Sequence, residues 1–150
     1  MSAEYSSNAA QGVPANGSVI FTETSVPCNC GLVYHRDGSG IFRLANRFFR
    51  QNIMSGWRRN SNYVVSFHAN IAVPTGGTAE EISLAVAIDG EIDPSSTMIF
   101  TPAAVGDFGN VGAEVIVTVP FLCGCSSVSI RNTSSQNITV QNANLVIDRA

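Results

Sequence analysis

Between residues 111 and 119 every second residue is apolar. Val111, Ala113, Val115, Val117 and Val119 share one face, and Gly112, Glu114, Ile116 and Thr118 the other. A period of two sends successive side chains to opposite sides of an extended chain, so this stretch reads as a half-buried strand. The same alternation runs through 62–73 (Tyr63, Val65, Phe67, Ala69, Ile71, Val73) until Pro74 and Gly76-Gly77 end it. Ile82, Leu84, Val86 and Ile88 form the next strand. Its reverse face, Ser83, Ala85 and Ala87, is small and mostly apolar, which implies cover by a second sheet or a second subunit. Asp89-Gly90 predicts a tight hairpin turn leading into a strand over 96–101.

Two more β-rich stretches, 126–133 and 138–149, complete the chain. The last changes phase: Ile138 and Val140 lie on one face, but Ala143, Leu145 and Ile147 on the other. A bulge near Gln141-Asn142, or burial of both faces, would reconcile them. Upstream, 18–22 predicts a short strand. Residues 32–34 and 41–44 predict a small hairpin around Asp37-Gly38-Ser39-Gly40. Many short strands, turn signals between them and no internal repeat predict an all-β domain over 17–150, a sandwich or jelly roll of antiparallel sheets.

Two segments stand outside this pattern. Residues 1–16 are small and polar with little to bury, and predict a flexible N-terminal arm. In the arginine-rich insert 43–60, Leu44, Phe48, Phe49, Ile53 and Trp57 recur at helical spacing while Gly56 and the arginines interrupt them, predicting a long loop with one helical turn. Two readings of the insert stay open. Its aromatics cap the end of the sandwich, or Arg43, Arg47, Arg50, Trp57, Arg58 and Arg59 form a basic docking surface for a partner.

Composition sharpens this picture. The chain is 45% apolar but only 13% charged, well below the usual quarter, so much of its surface is uncharged or covered, which favours an oligomer. Lysine is absent, and five of the eight basic residues fall between 43 and 59. A net charge of −3 argues against nucleic acid, which asks for a broad basic face. No run reaches the length of a membrane span, and the opening residues lack the charged start and apolar core of a secretory signal.

Candidate chemistry is sparse. Cys28/Cys30 and Cys123/Cys125 form two Cys-x-Cys pairs. Disulfides linking the pairs, a four-thiolate zinc site, and reduced buried cysteines all remain open. His68 is expected to point outward from its strand. Asp89, Glu91 and Asp93 could hold calcium, although turns are routinely acidic. No nucleophile–base arrangement, paired carboxylates or phosphate loop is present, so the expectation is a protein that is not an enzyme and needs no cofactor.

Four stretches, GSVIFTETSVPCNCGLVYHRDGSGIFRL, YVVSFHANIAVP, ISLAVAIDGEIDPSSTMIFTPAAVG and VSIRNTSSQNITVQNANLVIDRA, resemble the trimeric jelly-roll family of tumour necrosis factor, the complement globular heads and the C-terminal domains of bacterial and phage collagen-like proteins. The last two look like virion structural proteins of phages and prophages of gut Firmicutes. The resemblance implies a homotrimer whose inner sheets pack around an axis. It would place Ser83, Ala85, Ala87, Ala143, Leu145 and Ile147 at the interface. It further implies a capsid decoration or head-fibre protein on the phage particle, bound to a capsid or other virion protein; the polar residues 1–16 beside a compact β domain are expected to make that attachment. A receptor- or glycan-binding adhesin head, on a phage fibre or a bacterial cell or spore surface, is the alternative.

Overall fold

The computed structural model describes residues 1–47, 59–121 and 124–150. Its strands are β1 (Ser2–Ser7), β2 (Gln11–Val13), β3 (Glu23–Val26), β4 (Val33–His35), β5 (Phe42–Ala45), β6 (Ser61–Ala72), β7 (Ile82–Ile88), β8 (Glu91–Ile92), β9 (Met98–Phe100), β10 (Gly109–Val119), β11 (Cys125–Asn132) and β12 (Ile138–Arg149). They form two antiparallel sheets. The first has the order β10-β6-β12-β1-β3 with β2 also on β12; the second has the order β4-β5-β11-β7-β8 with β9 on β7. This is the predicted jelly-roll sandwich, and the inward faces of both sheets supply its core.

The long strands fall where the alternation places them. In β6 and β10 every inward residue from Tyr63 to Ile71 and from Val115 to Val119 is buried, and the two strands pair along their whole length from Gly109↔Ile71 to Val119↔Ser61. The Asp89-Gly90 turn has φ of 52° and 85°, the doubly left-handed geometry in which a β-carbon is penalised at the glycine position. The phase change in β12 is a bulge: its register against β6 shifts between Gln141 and Asn144, and Asn142 takes φ 53°. One extra residue there keeps Ile138, Val140, Ala143, Leu145 and Ile147 all facing the core.

Residues 1–16 are not a flexible arm. β1 lies between β12 and β3, in register from Ser2↔Asp148 to Ser7↔Ala143, and β2 pairs with β12 from Ile138↔Val13 to Val140↔Gln11. Ala3, Tyr5 and Val13 are buried. Asn132, wholly buried, locks this segment further by donating from Nδ2 to Val13 O (3.1 Å), Pro14 O (3.2 Å) and Gln136 O (2.9 Å). The polar run misled because serines hold buried positions: Ser6 and Ser7 are buried beside Ala3 and Tyr5, so the strand lacks the apolar alternation that marks a buried face. The predicted strand at 18–22 is likewise only two isolated bridges, Ser18↔Arg131 and Phe21↔Ser39.

An aromatic cluster closes the core between the sheets. His35, its side chain fully buried, stacks on Phe42 with ring centroids 4.1 Å apart, and its Nε2 donates to Ser39 O (2.9 Å). Tyr5 meets Phe42 edge-on at 4.8 Å, and Phe21 does so at 5.2 Å. Burial raises the Tyr5 phenol above its usual range, with the Asp37 charge adding to the shift.

Candidate functional site

Two regions carry the features a partner could use: the outer face of the first sheet, and the end of the sandwich where the arginine-rich segment leaves and rejoins it.

On the outer face of the first sheet the ladders line up rows of side chains. Ile116, Val64, Asp148 and Ser2 form one row, and Glu114, Ser66, Val146 and Glu4 the next. Ile116 is 65% exposed, and Val64 and Val146 are half-buried beside it. The acidic groups in these rows are held by neutral neighbours: Ser66 Oγ donates to Glu114 (2.8 Å), Asn144 Nδ2 to Glu4 (2.7 Å), and Ser2 Oγ to Asp148. His68 is exposed on this face, as expected, in the row of Gly112 and Asn144.

The six residues expected at a subunit interface divide between other places. Ala143, Leu145 and Ile147 are at most 1% exposed within the chain's own core, because the bulge turns them inward; the outward residues of that strand are Asn144, Val146 and Asp148. Ser83, Ala85 and Ala87 do face outward, but on the second sheet, and the chain itself covers both alanines. Ala85 lies opposite Arg131 and Ala87 opposite Ser129. Arg131 Nη1 reaches the turn that ends β7 and donates to Gly90 O (3.1 Å). Ser83 is hydrogen-bonded to Thr133 at 2.6 Å. Small residues on β7 thus make room for the chain's own neighbouring side chains rather than for a second copy.

The arginine-rich segment has a well-pinned base. Asn46, buried at the end of β5, donates from Nδ2 to Arg59 O and to Val119 O, both at 2.9 Å. Its amide donates to Gly124 O (2.8 Å), and the next amide, Arg47 N, donates to Ser61 Oγ (2.9 Å). These bonds bring the two ends of the segment side by side. Arg43 is an exposed residue of β5, paired with Ser127; Arg50, Trp57 and Arg58 lie outside the described residues. Arg149 was not legible as part of this region. It sits at the end of β12 opposite Tyr63, and only the sheet order carries it next to Arg47 and Arg59, with which it borders one cleft. Tyr63, fully buried, donates from its hydroxyl to Ala45 O. Burial raises its phenol above the usual range, opposed by the positive charges of Arg149 and Arg47. Asn46→Ala is expected to cost roughly 1–3 kcal/mol, the penalty for stranding buried partners of a lost donor, and to appear as a lower midpoint in a urea melt.

Among the described cysteines no bond runs from one pair to the other. Cys28 and Cys30 are bonded to each other with Cα atoms 5.3 Å apart. They sit in a turn ahead of β4, where Gly31 has φ 68°, not on a strand that would hold their sulfurs further apart. Cys125 is an exposed free thiol, and Cys123 lies outside the described residues. No group of three or more metal-ligating side chains occurs among the described residues. Asp89 and Asp93 instead stabilise turns, Asp89 accepting from Ser127 N (2.9 Å) and Asp93 from Ser95 N (3.0 Å) and Ser95 Oγ (2.7 Å).

An all-β sandwich of two antiparallel sheets in this strand order has a tumour-necrosis-factor-like or complement-head-like jelly-roll fold, and solved structures agree. The chain is similar to an Eiger tumour necrosis factor from S. frugiperda (TM-score 0.65, 8% identity, covering 100% of this chain and 92% of that one). It is similar also to murine APRIL (0.59, 6%, 99% and 99%) and to the globular domain of the zebrafish complement 1qA protein (0.58, 10%, 99% and 94%). At such identities the likeness is one of fold. The sequence matches no protein-family model, and no curated protein matches it.

Proposed function

We propose that the chain is a non-enzymatic, homotrimeric structural head protein, packed about a three-fold axis through the outer face of its first sheet, and that it serves on a bacteriophage particle as a capsid decoration or fibre head. The observation that carries the trimer is that face: Ile116, Val64 and Val146 stand together on a broad sheet whose carboxylates already have hydrogen-bond partners. The apolar part of that surface gains about 25 cal/mol per Å² covered, while Glu4, Glu114 and Asp148, held only by neutral partners, have to keep their contact with water at the rim of such an interface. The virion setting is supported by the resemblance of the sequence to phage structural proteins. Residues 1–16 are excluded as a tether by their place in the sheet, so attachment to the particle falls to loops at an end of the sandwich.

Ile116→Asp should convert the trimer to monomer. An unpaired carboxylate buried in an interface costs ~3 kcal/mol or more, which weakens association by at least about 100-fold. Sedimentation of wild type and variant at micromolar concentration, with far-ultraviolet circular dichroism as a control for the fold, decides this; a monomeric wild type defeats the proposal. Immunogold imaging of purified particles tests the virion setting, and an unlabelled particle surface counts against it. A second reading, a head that binds cell-surface glycan, is favoured by the arginines gathered at one end of the sandwich.

A further inference from the structure

β10 stands at the edge of the first sheet and pairs on one side only, with β6. The other strands with a free side, β2, β3, β4, β8 and β9, are two to four residues long, and such short edges offer little to an incoming strand. β10 runs for eleven residues. It contains no proline, its register against β6 is unbroken from Gly109↔Ile71 to Val119↔Ser61, and Glu114 is its one charged residue. Shortness, proline, bulges and charge are what keep a sheet edge from pairing; this edge has a single carboxylate.

The ladder fixes which backbone groups point outward. Just past β6, Val73 O accepts from Gly106 N (2.9 Å) on the side of β10, and Asn62 O accepts from Ala150 N (3.0 Å) on the side of β12. Successive residues of a strand turn their backbone groups to opposite sides, so the odd-numbered residues of β6 face β10, and their partners Val111, Ala113, Val115 and Val117 face back. The N–H and C=O of Asn110, Gly112, Glu114, Ile116 and Thr118 therefore point away from the sheet, and none of them is bonded to a described residue. Their side chains do not shield them. Asn110 Nδ2 donates to Asn70 Oδ1 (3.1 Å), Glu114 accepts from Ser66 Oγ (2.8 Å) and Thr118 Oγ1 donates to Asn62 Oδ1 (2.9 Å), all leaning over β6 and away from the edge.

Donors and acceptors that repeat at every second residue complement one class of ligand, another extended polypeptide. A second copy of β10 fits poorly. Full two-fold overlap centres on Glu114, the midpoint of Gly109–Val119, and sets like charges directly opposite, which is destabilising. Antiparallel pairing of a strand with its own copy also needs a two-fold axis, which a three-fold trimer does not supply. We infer that the free edge of β10 is a docking site for an extended segment of a different polypeptide, one that carries a lysine or arginine opposite Glu114 and an apolar or β-branched residue opposite Ile116. Pairing along this edge does not depend on the proposed trimer, whose contacts lie on the outer face of the sheet.

The probe is a short synthetic peptide of alternating valine and threonine with one central lysine, titrated into the full chain and followed by amide hydrogen exchange. Saturable binding that slows exchange at Gly112, Glu114, Ile116 and Thr118, with little change at the odd-numbered amides already bonded to β6, is expected. Glu114→Pro removes an outward N–H that no ladder bond uses, a place where an edge strand tolerates proline, and should weaken binding roughly tenfold with the far-ultraviolet circular dichroism unchanged. Glu114→Gln keeps every backbone group and should weaken it about two- to fivefold, which keeps the test decisive if the proline variant does not fold. The same peptide with glutamate in place of lysine should bind less tightly. If the outward amides stay unprotected at saturating peptide, or if both variants bind as wild type does, the site is overturned. If those amides are protected without peptide, and increasingly so as protein concentration rises, a second copy occupies the edge and the assignment to a different polypeptide falls. Sedimentation of the same samples reads the trimer separately, so failure of one is not mistaken for failure of the other.

Discussion

A chain lacking residues 1–16 will fail to reach the native fold. β1 is hydrogen-bonded on both sides, to β12 and to β3, and its removal leaves β3 without its sheet partner and exposes the edge of β12. Tyr5 and Val13 each contribute about 1.5–3 kcal/mol of side-chain burial, and Tyr5 adds edge-on contacts to Phe42 and His35. With the ladder bonds of β1 and β2, the loss exceeds about 5 kcal/mol, the lower bound of what holds an ordinary domain together. The uncovered edge of β12 would then be open to pairing with other chains. Circular dichroism and a thermal melt read this directly: no cooperative transition, with aggregation on purification, is expected. A truncated chain that melts within a few degrees of the full one would show that residues 1–16 are dispensable to the fold. The experiment also separates a strand from a tether, because a tether can be removed without loss of stability.

The second large effect is expected from Phe42→Ala. Phe42 is fully buried and is the ring on which the cluster converges: His35 stacks on it while Tyr5 and Phe21 meet it at steep angles. Truncation removes the transfer free energy of the ring and leaves a cavity bounded by both sheets, a loss of ~3–5 kcal/mol. It also takes the stacking partner from a buried imidazole whose Nε2 holds the β4–β5 turn at Ser39. A urea titration with the slope held in common should show the midpoint fall by that amount. A change under about 1 kcal/mol would mean the cluster repacks around the gap, and the aromatic contacts then contribute little to stability. Phe42→Leu, which refills much of the volume, should recover a large part of the loss.

The strands that could be read from the sequence share one property: they are long enough for alternation to outlast chance. β6, β7, β10 and β12 were legible to within about two residues because period-two burial is a local consequence of backbone geometry. The Asp89-Gly90 turn was equally legible, since few residue pairs tolerate two left-handed conformations in succession. The bulge in β12 announced itself as a change of phase. β1 and β2 did not, because the buried positions of Ser-Ala-Glu-Tyr-Ser-Ser include the polar Ser6 and Ser7 beside Ala3 and Tyr5, so burial leaves no apolar alternation to read. The candidate sites divide in the same way. Arg47 and Arg59 drew notice by crowding in sequence; Arg149 could not, since nothing near it in the chain marks it.

By itself, then, the amino-acid sequence determined that the protein is an all-β sandwich, where its main strands and tightest turn lie, and that its basic charge is concentrated in one segment. These are properties of neighbouring residues, fixed by local sterics and by which side of a strand meets water. The tertiary structure alone decided that the opening residues belong to the sheet, that the small backs of β7 are covered from within the chain, that Cys28 bonds Cys30, and that Arg149 completes the arginine cleft. Each of these depends on which strands become neighbours across gaps of many residues, and that pairing is settled by the closing of the whole core.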